Sequence, residues 1–158
     1  MNKGSRNVYI ACSMIKAQHL DFSLLDLLFN FVQEQNFNSF IPGKMKDAPS
    51  KVIFDRDMNW LKQSDFIIAD VNEPSHGVGM EIMYAYEHNI PVVCLLNTTN
   101  KPLSRMVEGS PHVYLLEYTT EQDLIEKLNG IRLAEMEITE CKVCQEKTLH
   151  QRKKCLKC

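Results

Sequence analysis

Long apolar runs are missing from this sequence of 158 residues. The longest, 66–69 and 91–96, fall far short of the ~20 residues that cross a bilayer, and the N-terminus has no apolar core of the kind a secretory signal needs. Strong net charge is missing too. The formal value is −2 with 44% hydrophobic residues, which argues against a disordered chain and against overall affinity for polyanions. No internal repeat is visible. These absences lead to the expectation of a soluble, cytoplasmic protein with one ordinary domain plus a small appendage and no membrane contact. Cysteine is scarce over most of the chain. Of six, Cys12 and Cys94 fall in apolar stretches where a free thiol acts as a small hydrophobe, and the other four crowd into residues 141–158.

What is present is a rhythm of strand-length apolar runs separated by helical periods. Residues 7–12, 40–41, 66–71, 90–96 and 113–116 read as strands. Residues 22–33, 50–64, 103–108 and 119–128 read as helices, the last closed by Asn129-Gly130. In the first helix Leu24, Leu25, Leu27, Leu28, Phe29 and Val32 mark a broad buried face. This alternation predicts an α/β fold, a doubly wound, mainly parallel five-stranded sheet of the Rossmann or flavodoxin type. The sheet domain is expected over 1–134, followed by a charged connector at 135–140 and a tail at 141–158.

The stretch from Asp65 to Tyr86 organises the rest. Phe66 to Val71 is a strand, Pro74-Ser75-His76-Gly77 a break, and the following residues a helix. Gly77 and Gly79 then keep the loop free of side chains. Glu81 would fall in the first helical turn, where the dipole favours a charged carboxylate by about 0.3–1 kcal/mol. That position suits an ionised nucleophile, and it equally suits a Glu that only caps. Ligands of open α/β sheets lie beyond the carboxyl ends of the strands, which puts this loop beside a substrate. Asp57 supplies a second carboxylate. Within the helix at 50–64 it sits in a stripe made by Ile53, Phe54, Trp60 and Leu61, with Asp55, Asn59 and Lys62 on the other side. A carboxylate on an apolar face is costly when unpaired, so Asp57 is expected either to find a core partner or to serve chemistry.

Four pieces carry a resemblance: Asp57-Met-Asn-Trp60-Leu61, Ser64-Asp65 ahead of the strand, Pro74-Ser75-His76-Gly77-Val-Gly79-Met-Glu81, and Pro102-Leu-Ser104-Arg-Met. In order and spacing the chain resembles the nucleoside 2-deoxyribosyltransferase superfamily, most closely its 2'-deoxynucleoside 5'-monophosphate N-glycosidase (Rcl) branch. Val8-Tyr9-Ile10-Ala11-Cys12-Ser13 matches more weakly, and the tail lies outside the match. The resemblance implies hydrolysis of the N-glycosidic bond of a (deoxy)nucleoside 5'-monophosphate, giving free base and (deoxy)ribose 5-phosphate without a cofactor. It implies Glu81 as nucleophile, Asp57 as the acid for the departing base, and Tyr9 as the residue that orients Glu81. Ser13 and Ser75 would bind the phosphate, with Gly77 and Gly79 in the same substrate loop, and Ser104 would be contributed across a homodimer interface.

The first turn departs from the family pattern Gly-Ser-Ile-Arg-Gly-Gly. It reads Cys12-Ser13-Met14-Ile15-Lys16-Ala17, which keeps Ser13 and puts Ile15 at the arginine position. Lys16 is either a substitute cation for the phosphate or a solvated surface residue. Cys12 and Ile15 lie where base selectivity would be set. Six residues before the nucleophile, the transferases carry an acidic residue that would repel a phosphate, and this chain has Ser75. The rival functions are a nucleoside 2-deoxyribosyltransferase that exchanges bases between nucleosides, and a nucleotide-binding module whose tail docks a partner.

In the tail, Cys141-Lys-Val-Cys144 and Cys155-Leu-Lys-Cys158 form two CxxC knuckles, four thiolates at the spacing of a tetrahedral structural zinc. Disulfide or redox pairing is the competing use. Four thiolates close the coordination sphere, so the zinc expected here is structural. Val143, Leu149 and Leu156 are too few to build a core, and the tail is expected to fold on its metal and to be separable from catalysis. Lys142, Lys147, Arg152, Lys153, Lys154 and Lys157 stand against Glu146 alone. Such a cluster can touch nucleic-acid phosphates or an acidic partner, although most are simply solvated.

Overall fold

Side chains of successive strand residues alternate between two cores, and that alternation fixes the architecture. The computed structural model describes residues 6–13, 22–100 and 103–158. β1 (Asn7–Ala11), β2 (Asn38–Phe40), β3 (Phe66–Asp70), β4 (Val92–Asn97) and β5 (Val113–Tyr118) form one sheet in the order β2-β1-β3-β4-β5. Every adjacent pair is parallel. This is the flavodoxin-like order, with its reversal between β1 and β3. Val8, Ile10, Phe66, Ile68, Val93 and Leu95 pack with α1 (Phe22–Glu34) and α5 (Glu121–Leu128). Tyr9, Ala11, Ile67, Ala69, Val92, Cys94 and Leu96 pack with α2 (Ser50–Lys62), α3 (His76–Glu87) and the short α4 (Arg105–Gly109). The period of two along each strand is what lets one sheet serve both layers. Among the described residues no helix is long and apolar enough to cross a membrane.

Two local expectations need correction. The second strand is Asn38–Phe40, not 40–41, because Ile41 leads into a 3-10 turn at Pro42–Lys44. The apolar stripe of α2 is not a buried face. Only Leu61 is buried, while Phe54 is 51% exposed. Asp57 therefore lies at the boundary with solvent and not inside a sealed core.

The larger difference concerns the tail. Residues expected as a connector form β6 (Met136–Glu140), which pairs antiparallel with β7 (Lys147–Gln151), and β8 (Lys154–Cys155) completes a three-stranded sheet. The β7–β8 turn is made by Arg152 and Lys153 at φ of 52° and 64°, the left-handed geometry that tight hairpins usually give to Asn-Gly. Leu149 is fully buried in the same core cluster as Val8, Leu124, Leu133 and Met136. Its N–H also donates to Pro111 O at 3.3 Å, and Lys157 Nζ donates to Glu108 O at 3.2 Å. A segment with too few aliphatics for its own core has thus joined one that already exists, so it is not the structurally independent tail the composition suggested.

Candidate active site and metal centre

Tyr9 is the third residue of β1, and the strand's alternation turns it toward α2 and α3. Its buried hydroxyl donates to Glu81 Oε1 at 2.6 Å. Burial and the neighbouring Glu81 carboxylate raise the Tyr9 pKa, so the phenol remains a donor. Phe40 stacks on Trp60 with ring centroids 4.8 Å apart and tilts against Tyr9 at 5.5 Å, an aromatic wall that joins α2 to β1.

Glu81 is placed deeper than expected. Ser75 caps α3, its Oγ accepting from Val78 N–H at 3.4 Å, so the helix begins at His76 and includes Gly77 and Gly79. Glu81 accordingly sits in the second turn, where the dipole effect of the helix start has faded. Its ionisation is governed instead by burial, which pushes the pKa from 4.5 up to about 7; the Tyr9 hydrogen bond opposes this and the negative charge of Asp57 reinforces it. Glu81 Oε2 is buried and has no hydrogen-bond partner among the described residues. A buried acceptor left unpaired is costly, and it is the atom a ligand can engage.

Asp57 is close enough for its charge to act on Glu81. Its Oδ1 accepts from Arg56 Nε at 2.7 Å, a partner that the stripe pattern did not reveal even though the two residues are adjacent. A cavity of about 510 Å³ lies beside α3 and gathers Ser13, Ser75, Gly79 and Ser104 from three separate segments. A Cβ on Gly79 would meet nothing within 4 Å, so open space lies before it, whereas one on Gly77 would only touch Ser75 Oγ at 3.8 Å. Gly77 is not among the residues lining this cavity, and Lys16 and Ile15 lie outside the described residues. His76 lines the cavity as well, a residue missed despite its place inside the Pro-Ser-His-Gly stretch.

The four cysteines of the tail converge on one point. Cys141 follows β6, Cys155 belongs to β8, and the Sγ atoms of Cys141, Cys144, Cys155 and Cys158 all lie within 4.8 Å of one another, close enough to hold a metal ion. None is in a disulfide. Sulfurs about 2.3 Å from a tetrahedral zinc are ~3.8 Å apart. The Cys141–Cys158 and Cys144–Cys155 separations are 3.6 and 3.7 Å. Backbone N–H groups point at two of the sulfurs, Cys144 N–H at Cys141 Sγ (3.4 Å) and Lys157 N–H at Cys155 Sγ (3.3 Å), as thiolate ligands require of their surroundings.

Comparison with known proteins places this geometry in a family. The nucleoside 2-deoxyribosyltransferase family model matches residues 8–140. A candidate 2'-deoxynucleoside 5'-phosphate N-hydrolase 1 of Nematostella vectensis is 30% identical over 135 residues, 76% of this chain and 90% of that protein. A protein of the same description from Syntrophotalea carbinolica is 38% identical over 73 residues, 46% of this chain, so the match spans about half (51%) of that relative's length. In three dimensions the chain is similar to the Clostridium botulinum CMP N-glycosidase BcmB, with a TM-score of 0.61 over 78% of this chain and 99% of that one; at 20% identity this is a likeness of fold. The chain belongs to the nucleoside 2-deoxyribosyltransferase family.

Proposed function

We propose that this chain hydrolyses the N-glycosidic bond of (deoxy)nucleoside 5'-monophosphates, releasing free base and (deoxy)ribose 5-phosphate. The pairing of Tyr9 with Glu81 carries this reading, since one carboxylate oxygen is fixed at 2.6 Å and the other is buried and, among the described residues, left for a ligand. Cleavage leaves positive charge on the sugar, and a carboxylate below the ring can trap it. In the first step the C1'–N electron pair leaves with the base, Asp57 gives its proton to the base nitrogen, and Glu81 Oε2 bonds to C1'. Water then attacks C1', the bond to Glu81 breaks, and Asp57 takes the proton from the water. The relatives described as deoxynucleoside 5'-phosphate N-hydrolases support the same chemistry.

Ser13 and Ser75 receive the 5'-phosphate in the cavity beside α3, and Lys16 adds a positive charge to it. Ser104 borders both this cavity and an apolar groove of about 890 Å³ that carries the exposed side chains of Met80, Met83, Tyr86 and Met106. A second copy seated on that groove makes a homodimer and brings Ser104 to the edge of the neighbouring site. The four thiolates hold one structural zinc, the chemistry itself uses no cofactor, and reduced thiolates fit a cytoplasmic location.

A second reading is favoured by the matched family's own description, a transferase that moves deoxyribose between bases. One chromatographic experiment separates the two. The protein is incubated with a panel of nucleotides and nucleosides, with and without a second free base. Release of base and sugar phosphate from nucleotides ahead of nucleosides supports hydrolysis, and exchange between nucleosides without net release replaces it with transfer. Nucleotide binding without any product would reduce the site to a binding module.

A further inference from the structure

Adjacent residues on a helix point about 100° apart, so Arg56 and Asp57 do not face one another by default. Yet Arg56 Nε reaches Asp57 Oδ1 at 2.7 Å, with side chains only 21% and 18% exposed. The guanidinium is drawn there by two further anchors. Its Nη1 donates to the carbonyl of Lys46 at 3.3 Å, and its Cζ lies 6.0 Å from the centroid of the Phe40 ring. That ring is itself held between Trp60 and Tyr9. A loose surface ion pair has neither a second anchor on another segment nor a ring to rest on.

We propose that Arg56 is a positioning residue for the acid: it holds Asp57 Oδ1, presents Oδ2 to the departing base, and ties the 45–49 segment to α2. The proposal rests on the reading of Asp57 as the acid. In this proposal Arg56 acts through Asp57, with its Nε engaged by Asp57 and its Nη1 by the Lys46 carbonyl. Its effect is geometric. Proton transfer to a leaving base needs the carboxyl oxygen within hydrogen-bond reach, and a displacement of ~1 Å costs on the order of 100-fold in rate.

The test is a double-mutant cycle in base release, Arg56→Ala made in the native protein and in Asp57→Asn. In the native background kcat falls about 100-fold for bases that leave poorly and much less for bases that leave readily, with KM little changed. In the Asp57→Asn background the same substitution costs nothing further. A loss of equal size in both backgrounds, a change in KM alone, or unchanged kcat overturns the proposal. A second measurement needs no turnover. Nitrogen-15 NMR of the native protein shows the Arg56 Nε–H, assigned by its loss in Arg56→Ala, protected from solvent exchange, and Asp57→Ala, which leaves no side-chain acceptor, removes that protection; absence of the protected signal, or its survival in Asp57→Ala, also overturns the proposal. If the native chain released no base from any nucleotide, the hydrolase reading would fall while NMR still decided whether Arg56 holds Asp57.

Discussion

Replacing Glu81 with Gln should stabilise the protein near neutral pH and change little in acid. In the unfolded chain the carboxyl titrates near 4.5, whereas burial holds it to about 7 in the fold. Below 4.5 both states carry the proton, and the ionisation of Glu81 costs nothing. Between 4.5 and about 7 the unfolded chain releases its proton while the folded one keeps it, so stability falls as pH rises. Above about 7 the loss is complete. At about 1.4 kcal/mol per pH unit, this interval amounts to about 3 kcal/mol. Gln keeps an acceptor for the Tyr9 hydroxyl and is neutral throughout, so it imitates the protonated acid and escapes the loss. Other groups titrate alike in both proteins and cancel in the comparison. Urea unfolding read by Trp60, the only tryptophan, gives the difference directly. With m of ~2 kcal/mol/M the midpoint of Glu81→Gln should lie about 1–2 M above the native one at pH 8, with the gap closing toward pH 4.5. Stability curves that run parallel across this range would show that Glu81 is not held protonated by burial, and base release should vanish in the variant in either case.

Removing the Tyr9 hydroxyl as Tyr9→Phe takes away the hydrogen bond that opposes burial, so the Glu81 pKa should climb above its present value of about 7. The ascending limb of the pH–rate profile then moves to higher pH, and a stationary limb would separate Tyr9 from the ionisation of Glu81. Ser75→Asp keeps a good helix cap but sets a charge against the phosphate, so nucleotides should lose at least about tenfold relative to nucleosides in competition assays; an unchanged preference would place the phosphate elsewhere. Leu149→Ala should destabilise the whole chain by about 2–5 kcal/mol, with Trp60 on the opposite layer reporting the shift in urea. An unmoved Trp60 transition would mean that the small sheet unfolds by itself.

The parallel sheet was legible because its strands are buried on both faces and read as unbroken apolar runs such as Phe66 to Ala69, with turn residues between them. The pairing of Tyr9 with Glu81 was implied by the family resemblance, and no local property of either residue discloses it. What misled was local reasoning at Glu81. His76-Gly77-Val78-Gly79 looks like a helix breaker, yet the Ser75 cap makes it the first turn, so the carboxylate is controlled by burial and not by the helix dipole. The Phe54 stripe misled for a different reason, because helical period shows which residues share a face but not whether another layer covers it. Leu149 was the least legible. Three aliphatics in eighteen residues predict no core, and nothing in their spacing says that one of them is inserted into the interior of the larger sheet.

β5 ends the large sheet, with β4 as its single strand partner among the described residues. Its sequence, Val-Tyr-Leu-Leu-Glu-Tyr, combines high strand propensity with one charge, the composition of a segment that recruits like segments from other molecules when uncovered. β7 meets the chain just before this strand, through Leu149 and Pro111. The opposite edge, β2, is only three residues long and offers little to pair with. The packing of the small sheet beside this strand is therefore expected to limit such recruitment. On the zinc reading proposed above, removing the metal should uncover this border strand, and chelating buffers should then produce turbidity before any loss of helix.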